Sequence, residues 1–390
     1  MPVGEPLRWV EIDHGALAQN VAVLRRALGG TQVWAVVKAD AYGHGAVETA
    51  RTAMAAGAAG LVVATVDEGV ALRQAGLEGP ILVLTPPLAP QAPAYATYDL
   101  VAAVGDLDTA AALAAAGQAR GRPIPVHIKV DTGMGRLGVM PQDAPALVRA
   151  VRGLAGVAVA GVFTHLAAAD EEDLTSARTQ LARFAQLLDR LAWDGLKPAA
   201  VHAANSAAAL ALPESRFALA RLGLAIYGLA PSPAVARRAA AAGVALRPAL
   251  AFRARVVAAR RVPAAWPISY GSTYVTPSET AIATLPVGYA DGISRGLSHK
   301  LQVLVRGRRC PVVGRICMNH CMVDVGDLPV QPGDVVTLLG SDGPGAVGAE
   351  EWAAHLGTIP YEILCMVGSR NPRRHLHFPG ADAAPSPAPS

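Results

Sequence analysis

The sequence predicts an α/β protein in two halves, and two observations carry that prediction. Up to about residue 230, short β-rich runs alternate with alanine-rich helical stretches, and the runs are apolar on both faces, as in a parallel sheet covered by helices. From about residue 245 the runs alternate apolar with polar residues and are punctuated by Gly and Pro turns, the pattern of a mainly-β domain. About eight β/α units in the first half point to a (β/α)8 barrel of the TIM type. The expected boundaries are residues 1–240 for an N-terminal barrel, 241–378 for a C-terminal β domain, and 379–390 for a disordered tail. That tail, "GADAAPSPAPS", is too poor in large apolar groups to fold.

The elements follow in order. In "DHGALAQNVAVLRRALGG", Asp13 caps a helix, Leu17, Val21, Leu24 and Leu28 share one face, and Gly29-Gly30 stops it. Eight strands come next: "VWAVVK", "GLVVAT", "ILVLT", "DLVAAV", "PVHIKV", "VAVAGVFT", "AVHAAN" and "FALARLGLAIYG". Helical segments such as "GAVETARTAMAAG" and "AALAAAGQAR" separate most of them. "SPAVARRAAAAGVALRP" reads as a helix and linker between the halves. "LAFRARVV" then places Leu250, Phe252, Ala254 and Val256 on one face, and "ETAIATLPVGY", "KLQVLVRGRRCPVVG", "RICMNHCMVDV" and "GDVVTLLG" continue the β domain.

Composition narrows the class. The net charge is +4, but the basic residues are scattered and lack interleaved aromatics, which argues against nucleic acid. Four cysteines in 390 residues do not make a disulfide framework, and the start "MPVGEPLRWVEID" has no apolar signal core. No stretch approaches the roughly 20 apolar residues of a membrane span. A cytoplasmic enzyme without a membrane partner is expected.

Barrel chemistry sits at the C-terminal ends of the strands. Lys38 in "AVVKADAYGHGA" ends the first strand, Arg136 in "VDTGMGRLG" follows the fifth, His165 in "VFTHLAAAD" ends the sixth, Asn205 and Ser206 follow the seventh, and Arg221 and Gly223 lie in the eighth. A lysine against an apolar strand has its ammonium form disfavoured, and Arg136 and Arg221 push the same way. The free amine then becomes available for a Schiff base. Taken alone, a strand-end lysine is more often one that snorkels to solvent; its neighbours turn the reading towards chemistry.

These stretches resemble the alanine racemase family. "AVVKADAYGHGA" is similar to its pyridoxal-phosphate lysine motif, and the likeness continues through "VEIDHGAL", "VDTGMGRLG", "VFTHLAAAD", "HAANSAA", "ARLGLAIYG", "SYGSTYVT", "LPVGYADG", "GRICMNHCMVDV" and "TIPYEILC". The resemblance implies a fold-type III barrel with a C-terminal β domain, working as a head-to-tail homodimer with shared active sites. It implies that Lys38 holds pyridoxal 5'-phosphate as an internal aldimine and then serves the D-face of the substrate α-carbon. Tyr270, from the partner subunit, would serve the L-face, with His165 and Arg221 supplying the positive surroundings that a phenolic base needs. Tyr42, Ser206, Gly223, Leu224 and Tyr361 would hold the phosphate, and Arg221 would face the pyridine nitrogen. Arg136 and the Met318 N–H would hold the substrate carboxylate, and Tyr289 with Tyr361 would narrow the entrance. Lys129 corresponds to a lysine that is carbamylated in some members. The implied activity interconverts L- and D-alanine and supplies D-alanine for peptidoglycan.

Alternatives belong beside this reading. Where the family usually has aspartate after Cys-Met, this chain has Asn319, an amide that carries no charge. Pocket volume separates one methylene by only about 1–3 kcal/mol, so a serine or broad-specificity small amino-acid racemase is the rival. A non-catalytic pyridoxal-phosphate carrier would lack the second domain and Tyr270. A fold-type III decarboxylase would carry a glycine-rich phosphate loop and a cysteine-aspartate motif, neither of which is found. In "CMNHC", a strand would point His320 away from Cys317, so no metal is expected. The "DEED" run at 170–173 reads as a solvated loop and helix start, and His44 and His202 as structural histidines.

Overall fold

The computed structural model describes residues 4–378, and the tail expected at 379–390 lies outside the described residues. The chain divides into two compact units. One comprises Leu17–Ala41 and Ala46–Arg247; the other holds residues 4–16, the segment Tyr42–Gly45, and residues 248–378.

The first strand, β1 (Arg8–Asp13), belongs to the second unit. The first unit is built on β2 (Gln32–Val36), β3 (Gly60–Val63), β4 (Ile81–Val83), β5 (Val101–Val104), β6 (Ile124–Lys129), β7 (Val157–Phe163), β8 (Ala200–His202) and β9 (Leu219–Leu222). These are the eight runs read from the sequence. They pair in parallel in the order β8-β7-β6-β5-β4-β3-β2-β9. The ring nearly closes, because the Ala218 N–H donates to the Val201 carbonyl at 3.0 Å and the Arg221 N–H to the Ala204 carbonyl at 2.9 Å. Every residue of β3, β4, β5 and β9 is buried, as expected of strands packed on both faces. This construction aims Lys38, Lys129, His165, Ser206 and Gly223 from the C-terminal ends of different strands.

The second unit adds β10 (Leu250–Arg255), β11 (Ala258–Val262), β12 (Pro267–Ile268), β13 (Tyr274–Val275), β14 (Thr280–Leu285), β15 (Gln302–Val305), β16 (Arg308–Val313), β17 (Cys321–Gly326), β18 (Val335–Asp342), β19 (Gly345–Val347) and β20 (Arg373–Leu376). Its main sheet runs β11-β14-β17-β16-β15-β18-β10-β1-β20, while β12 and β13 form a separate hairpin. Leu250, Phe252, Ala254 and Val256 are buried together, as their spacing predicts.

Two expectations need correction. Residues 1–240 were expected to form the barrel half, but β1 pairs antiparallel with β10 and parallel with β20. Trp9, Val10 and Ile12 are buried there, and Glu11 forms a 3.1 Å ion pair with Arg253 across the β1–β10 pair. In "RICMNHCMVDV", residues before Cys321 are loop, so the strand geometry used to separate Cys317 from His320 does not apply. Among the described residues, no group of three His, Cys, Asp or Glu side chains is placed to hold a metal ion. Likewise, no described helix is long and apolar enough to cross a membrane.

Candidate active site

Lys38 follows directly from the end of β2, where the Val37 N–H still donates to the Val62 carbonyl at 2.9 Å. The backbone then does something the sequence does not announce. Ala39, Asp40, Ala41 and Tyr42 all have φ between 52° and 54°, a left-handed turn of four non-glycine residues. Such a conformation costs on the order of 1–2 kcal/mol per residue and persists only where neighbours fix it. Glu68 is one fixer: Oε1 accepts the Ala39 N–H at 2.7 Å, while Oε2 accepts the N–H groups of Ala64 at 2.7 Å and Thr65 at 3.2 Å. Asp40 is another, accepting the Ala46 N–H at 2.8 Å.

A cationic group occupies the neighbouring strand ends. Arg221 is 3% exposed. Its Nη1 donates to His202 Nδ1 at 2.5 Å, its Nη2 donates to the carbonyls of Thr164 at 2.9 Å and Ala203 at 3.1 Å, and His165 Nδ1 lies 3.4 Å from Nη2. Every one of these acceptors is neutral. Burial pushes the guanidinium down to about 9, so its charge persists at neutral pH but is less unconditional than the residue type suggests. Because arginine can only donate, His202 must accept at Nδ1, which places its proton on Nε2, facing His127 Nδ1 at 2.8 Å. His202, expected to be merely structural, is therefore the partner that orients Arg221. His127 was not singled out in the sequence at all. Burial first and Arg221 second hold both imidazoles neutral, with His127 pushed down to about 4.

Lys129, at the end of β6, is 5% exposed, and its Nζ lies 4.8 Å from the centre of the Phe163 ring. Burial lowers its pKa to about 8, with Arg221 and Arg136 adding repulsion and Asp131 opposing them. His165 is lowered well below the ordinary imidazole value, by burial and then by the charges of Arg221, Lys129, Arg136 and Lys38. His165 is thus within electrostatic reach of Arg221, Lys129, Arg136 and Lys38. Arg136 itself is exposed on the loop after β6. The loop is shaped by Asp131, whose Oδ1 accepts the N–H groups of Gly133, Met134 and Gly135 at 2.9, 2.8 and 3.1 Å.

Ser206 is buried, and its Oγ accepts the Gly223 N–H at 2.9 Å and the Ala225 N–H at 3.3 Å. The hydroxyl thus stands against the turn at Leu224–Tyr227, where the phosphate donors were expected. The Gly223 N–H is already engaged by this hydroxyl. A cavity of about 1070 Å³ lies elsewhere in the unit, against the Asp131–Gly135 loop, and is lined by Arg149, Arg183 and Arg190. It contains none of the expected site residues.

The second unit carries the remaining candidates. The Tyr42 and Tyr361 rings lie 5.7 Å apart, centre to centre. Beside them Gly43 meets Gly368 so closely that a Cβ on Gly368 would fall 2.2 Å from the Gly43 carbonyl oxygen. Tyr289 and Met318 are joined by paired backbone bonds, Tyr289 N–H to the Cys317 carbonyl at 3.1 Å and Ala290 N–H to the Met318 carbonyl at 3.0 Å. Tyr270 and Met318 are 70% and 56% exposed, so both are presented outward. A cavity of about 590 Å³ adjoins Tyr270, lined by Arg260, Ser269, Cys317 and His320 among others. Asn319 is exposed beside Met318.

This is the arrangement of an enzyme built on a (β/α)8 barrel, with a lysine at one strand end and, at another, a buried arginine that has no carboxylate partner among the described residues. Two family models match the chain: the alanine racemase N-terminal domain over residues 12–231 and the alanine racemase C-terminal domain over residues 249–375. An alanine racemase of Symbiobacterium thermophilum is 47% identical over 366 residues, covering 94% of this chain and 96% of the relative. One from Desulfosudis oleivorans is 45% identical over 376 residues, covering 94% and 95%. The crystal structure of alanine racemase from D-cycloserine-producing Streptomyces lavendulae superposes with a TM-score of 0.89 at 41% identity, covering 96% of this chain and 98% of that one. The chain belongs to the alanine racemase family, and its chemistry is that of an isomerase.

Proposed function

We propose that the protein interconverts L- and D-alanine with pyridoxal 5'-phosphate, as a cytoplasmic homodimer supplying D-alanine for peptidoglycan. The observation that carries the cofactor assignment is Arg221: a buried cation held wholly by neutral acceptors, with no carboxylate partner among the described residues. Such a group suits a ring nitrogen that accepts a hydrogen bond without taking a proton. The surrounding positive charge of Lys38, Lys129 and Arg136 suits an anionic phosphate and a substrate carboxylate.

When bound, the cofactor supplies a conjugated ring that disperses the electron pair left as the α-hydrogen departs. The chain's own residues do the rest. Lys38 would hold the cofactor through Nζ, and its free amine would move the proton on the D-face. Tyr270 Oη, from the partner subunit, moves the proton on the L-face, consistent with its outward presentation. Arg221 would keep the ring nitrogen unprotonated, which would restrain side reactions, and His202 holds Arg221 in place. His165 lies beside Arg221. Tyr42, Ser206, Gly223, Leu224 and Tyr361 would hold the phosphate, the Gly223 N–H exchanging its bond to Ser206 Oγ for one to the anion. Arg136 and the Met318 N–H orient the carboxylate, while Tyr289 and Tyr361 narrow the approach. Lys129 is a candidate for carbamylation: its lowered pKa raises the fraction of free amine, whose nitrogen would add to the carbon of carbon dioxide and give up a proton to solvent, leaving an anion that Arg136 and Arg221 attract.

The test is direct. Lys38→Ala is expected to lose both the absorbance of bound cofactor and all racemisation, and a yellow, active variant overturns the assignment. A panel of L-amino acids read by circular dichroism decides between alanine and serine.

A further inference from the structure

Tyr270 is carried by an unusual piece of backbone. β12 ends at Ile268, which is buried in an apolar cluster with Val262, Ile282 and Val313, and the hairpin resumes at Tyr274 in β13. Between these anchors, Ser269 has φ 66° and ψ −178°, Gly271 has φ 72° and Ser272 has φ 48°. The conformation of Ser269 is one that essentially only glycine adopts without strain. A serine persists there because something holds it.

The holder is the segment that leads to Met318. Ser269 Oγ donates to the Arg315 carbonyl at 2.6 Å and lies 3.6 Å from Cys317 Sγ. The two segments interlock at glycines. A Cβ on Gly314 would fall 2.7 Å from Ser269 Cβ and 2.8 Å from the Ile268 carbonyl oxygen, and one on Gly271 would fall 3.0 Å from Arg315 Nη1. Glycine at position 269 would relieve the backbone but give up the hydroxyl. The hydroxyl ties the turn bearing Tyr270 to the loop bearing the Met318 N–H.

We propose that Ser269 is a positioning residue that fixes the Tyr270 phenol in register with the Met318 N–H, so that the L-face base meets a substrate whose carboxylate is already anchored. This inference rests on the two-base reading above. It assigns Ser269 no contact with substrate; the residue acts through its neighbours.

The test compares holoenzyme Ser269→Ala, Ser269→Gly and Tyr270→Phe by α-hydrogen exchange in deuterated water, starting separately from L- and D-alanine. Exchange from L-alanine begins at Tyr270, and exchange from D-alanine at Lys38. In Ser269→Ala, L-alanine exchange is expected to fall about tenfold to a hundredfold while D-alanine exchange and cofactor absorbance hold, because a small displacement of a reacting group costs that much. Ser269→Gly, which tolerates the backbone angle, is expected to fall between Ser269→Ala and the wild type. A Ser269→Gly variant equal to wild type, or a Ser269→Ala variant in which both exchanges fall together, overturns the assignment. A collapsed L-exchange in Tyr270→Phe beside an unaffected Ser269→Ala removes Ser269 alone. Undiminished L-exchange in Tyr270→Phe removes the base, and this inference with it.

Discussion

Replacing Lys129 with methionine should make the protein more stable at neutral pH, by an amount that shrinks as the pH rises. The Lys129 amine titrates near 8 in the fold and at an ordinary 10.5 when exposed, because burial and then the charges of Arg221 and Arg136 oppose its protonation. Between those values the unfolded chain binds the additional proton, so the lysine's contribution to stability improves with rising pH. The charged form burdens the fold by about 3 kcal/mol at pH 7, about 2 kcal/mol at pH 9 and less than about 1 kcal/mol at pH 10. Methionine keeps the length and apolar stem without the charge. Urea unfolding of both proteins at these pH values, in buffer free of carbon dioxide, gives the difference directly, and groups titrating elsewhere cancel. Two stability curves that stay parallel from pH 7 to 10 would show that Lys129 is solvated or already neutralised, and the reasoning would fail.

Three further outcomes are expected. His202→Leu strips Arg221 Nη1 of its acceptor inside the barrel, and a buried charged donor left unpaired costs about 2–3 kcal/mol, read as a lowered denaturant midpoint; an unchanged midpoint would mean that Arg221 finds another acceptor. Gly368→Ala drives a Cβ to 2.2 Å from the Gly43 carbonyl and should destabilise the protein by about 2 kcal/mol or more; thermal unfolding at the wild-type temperature would refute the close contact. Glu68→Leu removes the acceptor of the Ala39, Ala64 and Thr65 N–H groups. Hydrogen exchange at residues 39–42 should then accelerate more than elsewhere in the barrel, whereas uniform acceleration would make Glu68 a global stabiliser instead.

The eight barrel strands were legible because burial on both faces writes continuous apolar runs, and β10 because burial on one face writes alternation. That Lys38 and Arg221 stand at strand ends was legible because a charge directly beside an apolar run is conspicuous. What escaped depended on partners distant in sequence. "RWVEID" reads as a strand, but that it pairs with β10 rather than joining the barrel is decided by residues about 240 positions away. The His202–His127 contact spans 75 residues, and neither ring carries a local sign of it. The left-handed turn after Lys38 is less legible still, since "KADAY" has the propensities of an ordinary helix and Glu68 supplies the constraint from beyond the next strand.

Charge accounting at the strand ends explains why the barrel holds its cations as it does. The carboxylate of Asp131 is engaged by its own loop's N–H groups, and Arg221 is held by neutral acceptors. Neutral imidazoles satisfy the guanidinium's geometry without cancelling its charge, and the same charge helps keep them neutral. A carboxylate in the place of His202 would form a stronger pair, but it would leave less positive potential for an incoming anion. The arrangement therefore leaves an uncancelled positive potential at the strand ends. That potential adds to burial, the larger cause, in lowering the pKa values of Lys129 and His165.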